Sequence, residues 1–88
     1  MDAKEKYNIY CKMFENAHKL SDTINQILVS KNYKVYDCFV SVGNEEKNEY
    51  FLSIEYGNGT SDGYKRIYGS YTENAVNNYI ERLKKRSN

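Results

Sequence analysis

The segment Glu49–Tyr56 constrains the fold more than any other part of the chain. Tyr50, Leu52, Ile54 and Tyr56 fall on one side of an extended backbone, and Glu49, Phe51, Ser53 and Glu55 on the other. Side chains of a strand point alternately to opposite faces, so this pattern predicts a strand with one face in a core. Tyr33–Val42 before it is rich in β-branched and aromatic residues, and Tyr64–Gly69 after it is shorter and more mixed. The connections are Gly43–Asn48, polar and charged, and Gly57–Gly63, which reads GNGTSDG and is turn chemistry throughout. Neither is long enough for a crossover, so the three runs are expected to form an antiparallel meander.

A sheet this small needs a cover. Tyr7, Tyr10, Met13, Phe14, Ala17, Leu20, Ile24, Ile27 and Leu28 recur at steps of three and four, the period of one helical face. Asp2 with Glu5 three residues later reads as its capping box. Ser21 and Asp22 prefer caps to helix interiors and leave open a break there. One long helix to about Ser30 is the expectation, ended by Asn32 in the left-handed conformation. Ser70 with Glu73, or alternatively Thr72, caps a final helix with Ala75, Val76, Tyr79, Ile80 and Leu83 on one face. Residues 1–88 are therefore expected to form one α+β domain of order αβββα, with a three-stranded antiparallel sheet, a long N-terminal helix and a short C-terminal one.

Eighty-eight residues make a thin core, with little room for a deep enclosed active site. No apolar run is long enough to cross a membrane, and charges interrupt every apolar stretch of residues 1–30. A cytoplasmic location is expected. With two cysteines far apart and one histidine, neither a metal site nor a cofactor is expected. Cys11 and His18 lie two helical turns apart, about 10 Å, which is too far for a nucleophile and its base. The glycine-rich loop precedes a strand, where a phosphate cradle needs a helix. Glu45, Glu46 and Glu49 sit around Lys47 in a polar turn, with nothing to desolvate one carboxyl relative to another. The residues favour a non-enzymatic binding protein.

Charge and apolar surface suggest where binding would occur. Residues 1–34 carry net charge +2, residues 35–64 net −5 and residues 65–88 net +4. An acidic hairpin bearing Glu45, Glu46, Glu49 and Glu55 is thus opposed by a basic helix end bearing Arg82, Lys84, Lys85 and Arg86. If Tyr36, Cys38, Val40 and Val42 face the helices with the alternating set of residues 50–56, then Val35, Phe39, Phe51 and Ile67 are left on the other face. An uncovered apolar face of that kind marks an interface, with a protein partner or with a second copy as a homodimer. Ten tyrosines fit such an interface, although high Tyr, Asn and Lys usage is also what A/T-rich coding sequence produces.

The αβββα order resembles the double-stranded RNA-binding domain. That resemblance implies nucleic-acid binding through a basic cluster opening the last helix. Here that helix opens with Thr72, Glu73 and Asn74, and its lysines come at the end. In size, in Asn/Lys/Tyr-rich composition and in element order the chain also resembles small phage and mobile-element proteins that antagonise bacterial immunity, the anti-CRISPR proteins among them. This second resemblance implies an inhibitor that occludes an immune nuclease without catalysis. Glu45, Glu46, Glu49 and Glu55 would then meet a basic groove, and Phe39 and Phe51 would serve as apolar anchors.

Overall fold

The computed structural model describes residues 2–86 and has the expected order of elements. Helix α1 spans Ala3–Ser30, strand β1 Lys34–Asn44, strand β2 Glu49–Gly57, strand β3 Lys65–Thr72 and helix α2 Glu73–Lys85. One 3₁₀ turn, Ser61–Gly63, lies in the loop before β3. The sheet is antiparallel in the order β1-β2-β3, a single domain with β2 at its centre.

Helix α1 is continuous through Ser21. The Asp2 carboxylate accepts the Glu5 amide at 2.8 Å, satisfying one donor of the first turn. Ser21 is accommodated inside the helix because its hydroxyl donates outward to the Cys38 carbonyl of β1, at 3.2 Å. At the other end Asn32 takes φ +67°, and the Tyr33 amide returns to the Leu28 carbonyl. The last carbonyls of the helix are thereby partnered as the chain turns into β1. Thr72 caps α2 by accepting the Ala75 amide at 3.2 Å. Ser70 does not cap it, because β3 continues through both residues and passes into α2 without a linker.

Both helices lie on one face of the sheet. Met13, Ala17, Leu20, Ile24 and Leu28 of α1 and Val76, Ile80 and Leu83 of α2 form a single core with Val40, Tyr50, Leu52, Ile54 and Tyr56. Burying a Leu, Ile or Val contributes about 1.5–3 kcal/mol each, so this cluster supplies most of the stability. The two buried tyrosines bring hydroxyls that need partners. Tyr50 Oη accepts from Asn16 of α1 at 2.9 Å and donates to Glu73 of α2 at 3.3 Å. Tyr56 Oη accepts from the Arg86 guanidinium at 2.7 Å.

Three expectations about which side chains face the core are corrected. Tyr7, Tyr10 and Phe14 share the helical period but stand exposed, because the core stripe runs through Met13, Ala17 and Leu20, roughly a quarter of a turn away. Val35 packs against the core and Tyr36 is expelled, because a bulge between Val35 and Asp37 inserts one residue and reverses the alternation. Ile67 also faces the core, since its register partner is Ile54. Val35 and Ile67 therefore do not belong to the open face.

The core and the hydroxyl bonds predict different losses. Leu52→Ala should cost about 3 kcal/mol through cavity formation. Asn16→Ala should cost about 1 kcal/mol, since Tyr50 keeps its bond to Glu73. Urea unfolding of both variants checks the ranking, and equal losses would contradict it.

Candidate binding surface on the open sheet face

The face of the sheet away from the helices is ordered in rows by the strand register. Asp37, Glu55 and Arg66 form one row, Phe39, Ser53 and Tyr68 the next, and Ser41, Phe51 and Ser70 the third. Phe39 is 51% exposed and Tyr68 59%, levels at which a large aromatic side chain gains little from the fold that carries it. Phe51 is half-buried and meets Tyr68 edge-on, with ring centroids 5.0 Å apart. The Arg66 guanidinium lies 4.9 Å from the centre of the Tyr68 ring, a cation–π contact between neighbours on the face.

Polar contacts fix the margin of this aromatic band. Ser53 donates to Asp37 at 2.6 Å. Glu55 accepts from Tyr64 Oη at 2.6 Å and sits 3.7 Å from Arg66. The carboxylate beside it pushes the Tyr64 hydroxyl pKa upward, chiefly because the hydrogen bond is made by the protonated form. The expelled Tyr36 faces Tyr64, with ring centroids 6.4 Å apart, and these two residues, Glu55 and Gly59–Ser61 line a cleft of about 570 Å³. Asp37, Glu49 and Glu55 outnumber Arg66 and Lys34, which leaves the face slightly acidic. It offers ring stacking, cation–π contact and carboxylate acceptors, the chemistry of recognition by contact.

No protein-family model, curated protein or solved structure matches the chain. The site therefore rests on this geometry alone.

The structure divides the charged candidates. Lys6 of α1 reaches Glu45 at 3.6 Å and Glu46 at 3.4 Å, so the hairpin tip is partly neutralised by its own fold. Asn44 shapes that tip by accepting the Glu46 and Lys47 amides. Glu49 and Glu55 share the open face with Phe51, as the alternation of β2 predicted. The basic helix end is largely occupied as well. Arg86 turns inward to Tyr56, Lys84 pairs with Glu81 at 3.3 Å, and Arg82 leans over Tyr79 at 6.0 Å, leaving Lys85 exposed. Phe39, Phe51, Glu49 and Glu55 are thus the sequence candidates that the fold brings to one face, and Asp37, Tyr68, Tyr36, Tyr64 and Arg66 are the additions. Tyr68 and Arg66 carried no sequence signal because β3 has no clean alternation, and Tyr36 was concealed by the bulge.

His18 packs edge-on against Phe14, with ring centroids 4.8 Å apart, and Cys38 donates to the Ser21 carbonyl at 3.4 Å. Burial pushes the Cys38 thiol pKa up, which disfavours the thiolate. Among the described residues no group of three or more His, Cys, Asp or Glu side chains is placed to hold a metal ion, and no helix is long and apolar enough to cross a membrane.

Tyr79 of α2, on the helical side of the sheet, gives the fold a pH signature. Burial, followed by the neighbouring Tyr56, drives its hydroxyl pKa far above the ordinary value of 10.0. Tyr50 and Tyr56 shift upward too, each mainly by burial. A raised folded pKa means that the unfolded chain loses its protons first as pH rises. Stability should hold up to about pH 10 and fall above it, and Tyr79→Phe should flatten that fall. Urea midpoints measured from neutral to alkaline pH read this out, and an unchanged slope in the variant would contradict it.

Proposed function

We propose that the chain is a non-catalytic protein-binding domain that docks a basic protein surface on the open face of its sheet. The observation that carries this reading is the exposed aromatic band Phe39, Phe51 and Tyr68, ringed by Asp37, Glu49 and Glu55. Solitary exposed apolar residues need no explanation, whereas a contiguous band bordered by polar groups is the form of a protein interface. Aromatic side chains supply much contact area for few rotatable bonds, and carboxylates at the rim steer a cationic partner.

A surface that handles nucleic acid has the basic charge this face would complement. Occlusion of such a surface on a bacterial immune nuclease, from a phage-encoded inhibitor in the host cytoplasm, is the specific form of the activity we propose. Its support is the acidic rim together with the size and composition the chain shares with anti-defence proteins. The acidic rim weighs against the alternative of duplex-RNA binding, since phosphate is repelled by the same carboxylates.

The test is inhibition of RNA-guided nucleases from candidate hosts, with complex formation measured in parallel. Phe39→Ser with Tyr68→Ser should abolish complex and inhibition while the chain still folds with only a small drop in thermal midpoint, since both rings lie outside the core and Tyr68 loses only its surface contacts to Phe51 and Arg66. Lys84→Glu with Lys85→Glu should leave both intact. Binding should weaken about ten-fold or more at high salt if the rim contributes. Duplex-RNA binding lost on the lysine reversals, with no effect of the Phe39 and Tyr68 changes, would instead establish the nucleic-acid reading.

A further inference from the structure

A second aromatic surface lies on α1, on the opposite layer of the molecule from the open sheet face. Tyr7 is 66% exposed, Tyr10 43% and Phe14 48%, although helix α1 has a complete core stripe without them. Tyr10 and Phe14 stack at 6.2 Å and Phe14 meets His18 at 4.8 Å, forming a ladder along one flank of the helix. Contacts of this kind within a helix contribute only a few tenths of a kcal/mol. They do not account for three large rings left in water.

The spacing of this flank is specific. Tyr7, Cys11, Phe14 and His18 follow one another at steps of four, three and four, the seam of a helix that pairs with another helix. Charge identifies which helix. Lys4 lies at one end of the seam and Asp22 at the other, both exposed and neither paired with a charge among the described residues. At 100° per residue the two fall on the same line along the helix. A parallel copy would set lysine against lysine and aspartate against aspartate. An antiparallel copy centred between Cys11 and Phe14 sets Tyr7 against His18 and Cys11 against Phe14, and brings Lys4 level with Ser21, one residue from Asp22 and within reach of it, at both ends. The two ends of the seam are complementary when one helix is reversed, while Glu15 near its middle gains no opposite charge.

The geometry points to a second copy of this chain as the occupant: an isologous, antiparallel α1–α1 dimer built on the Tyr7–Cys11–Phe14–His18 seam. The rings contribute roughly 300 Å² of exposed aromatic surface per copy. Stable interfaces bury about 800 Å² per partner, so the dimer is weak and concentration-dependent. The outer edge of β1 is a lesser route to pairing, because Ser21 already occupies the Cys38 carbonyl there. This surface is independent of the open face, and its failure leaves the proposed function standing.

Sedimentation equilibrium of the intact chain, from micromolar to millimolar protein, tests the inference. The mass should rise from one chain toward two. Phe14→Glu should remain a single chain throughout while unfolding at an unchanged temperature, since Phe14 lies outside the core. Lys4→Asp or Asp22→Lys alone should weaken the dimer about five-fold by setting like charges face to face, and the two together should restore it. A monomer at millimolar concentration overturns the inference, as does a dimer that survives Phe14→Glu. Failure of the double exchange to restore affinity overturns the antiparallel arrangement.

Discussion

The fold is organised by the two hydroxyls at the ends of the buried face of β2. Leu52 and Ile54 between them are held by apolar contact alone, which fixes no direction. Tyr50 and Tyr56 add direction, since a buried hydroxyl without a partner costs about 1–3 kcal/mol. Tyr50 takes its partners from Asn16 and Glu73, and Tyr56 takes its own from Arg86. Asn16 also donates to Glu73 at 2.9 Å, closing a triangle between α1, β2 and the start of α2. Lys31 donates to the Arg86 carbonyl, tying the end of α1 to the end of α2. Both helices are thereby fixed at both ends of the same strand. Among the described residues no buried side-chain polar atom lacks a partner.

The candidate binding surface follows from that arrangement. A sheet of three strands has two faces, and a chain of this length has committed both of its helices to one of them. The other face must be polar or find a partner. Its rows are mixed: Asp37–Ser53 and Glu55–Tyr64 satisfy each other, while Phe39 and Tyr68 stay in water. Arg66 bridges the two kinds of residue, with its guanidinium over Tyr68 and its Nε toward Glu55. Such contacts hold the rings in place before anything binds, which reduces the entropy lost on association.

What could be read from the sequence was what strict period dictates. The alternation of β2 identified the core face and the outward Phe51 correctly, and the helical period located both helices. Single-residue events were not legible. The bulge after Val35 reverses two side chains with no composition signal to mark it, and Tyr36 and Val35 exchange faces as a result. Helix α1 misled for a different reason. Its apolar residues form two adjoining stripes, and a count at steps of three and four merges them, so Tyr7, Tyr10 and Phe14 read as core. Only the breadth of the merged stripe marks the difference, since a single face cannot bury Tyr7 and Met13 together. The charge segregation was real in the sequence but less free in the fold, because Lys6 and Tyr56 draw on the acidic and basic poles.

The two aromatic surfaces have a geometric relation with a physical consequence. The seam on α1 belongs to the helical layer, and the band on Phe39, Phe51 and Tyr68 belongs to the opposite side of the sheet. Pairing through α1 would leave both open faces uncovered and related by a two-fold axis. A partner presenting two equivalent basic surfaces could then be engaged twice, the second contact benefiting from an effective concentration set by the first. A weak dimer is sufficient for that effect, because binding at one face raises the local concentration of chains near the other. The exposed aromatic side chains are distributed on two separate surfaces, so the proposed self-association and the proposed partner binding would not compete.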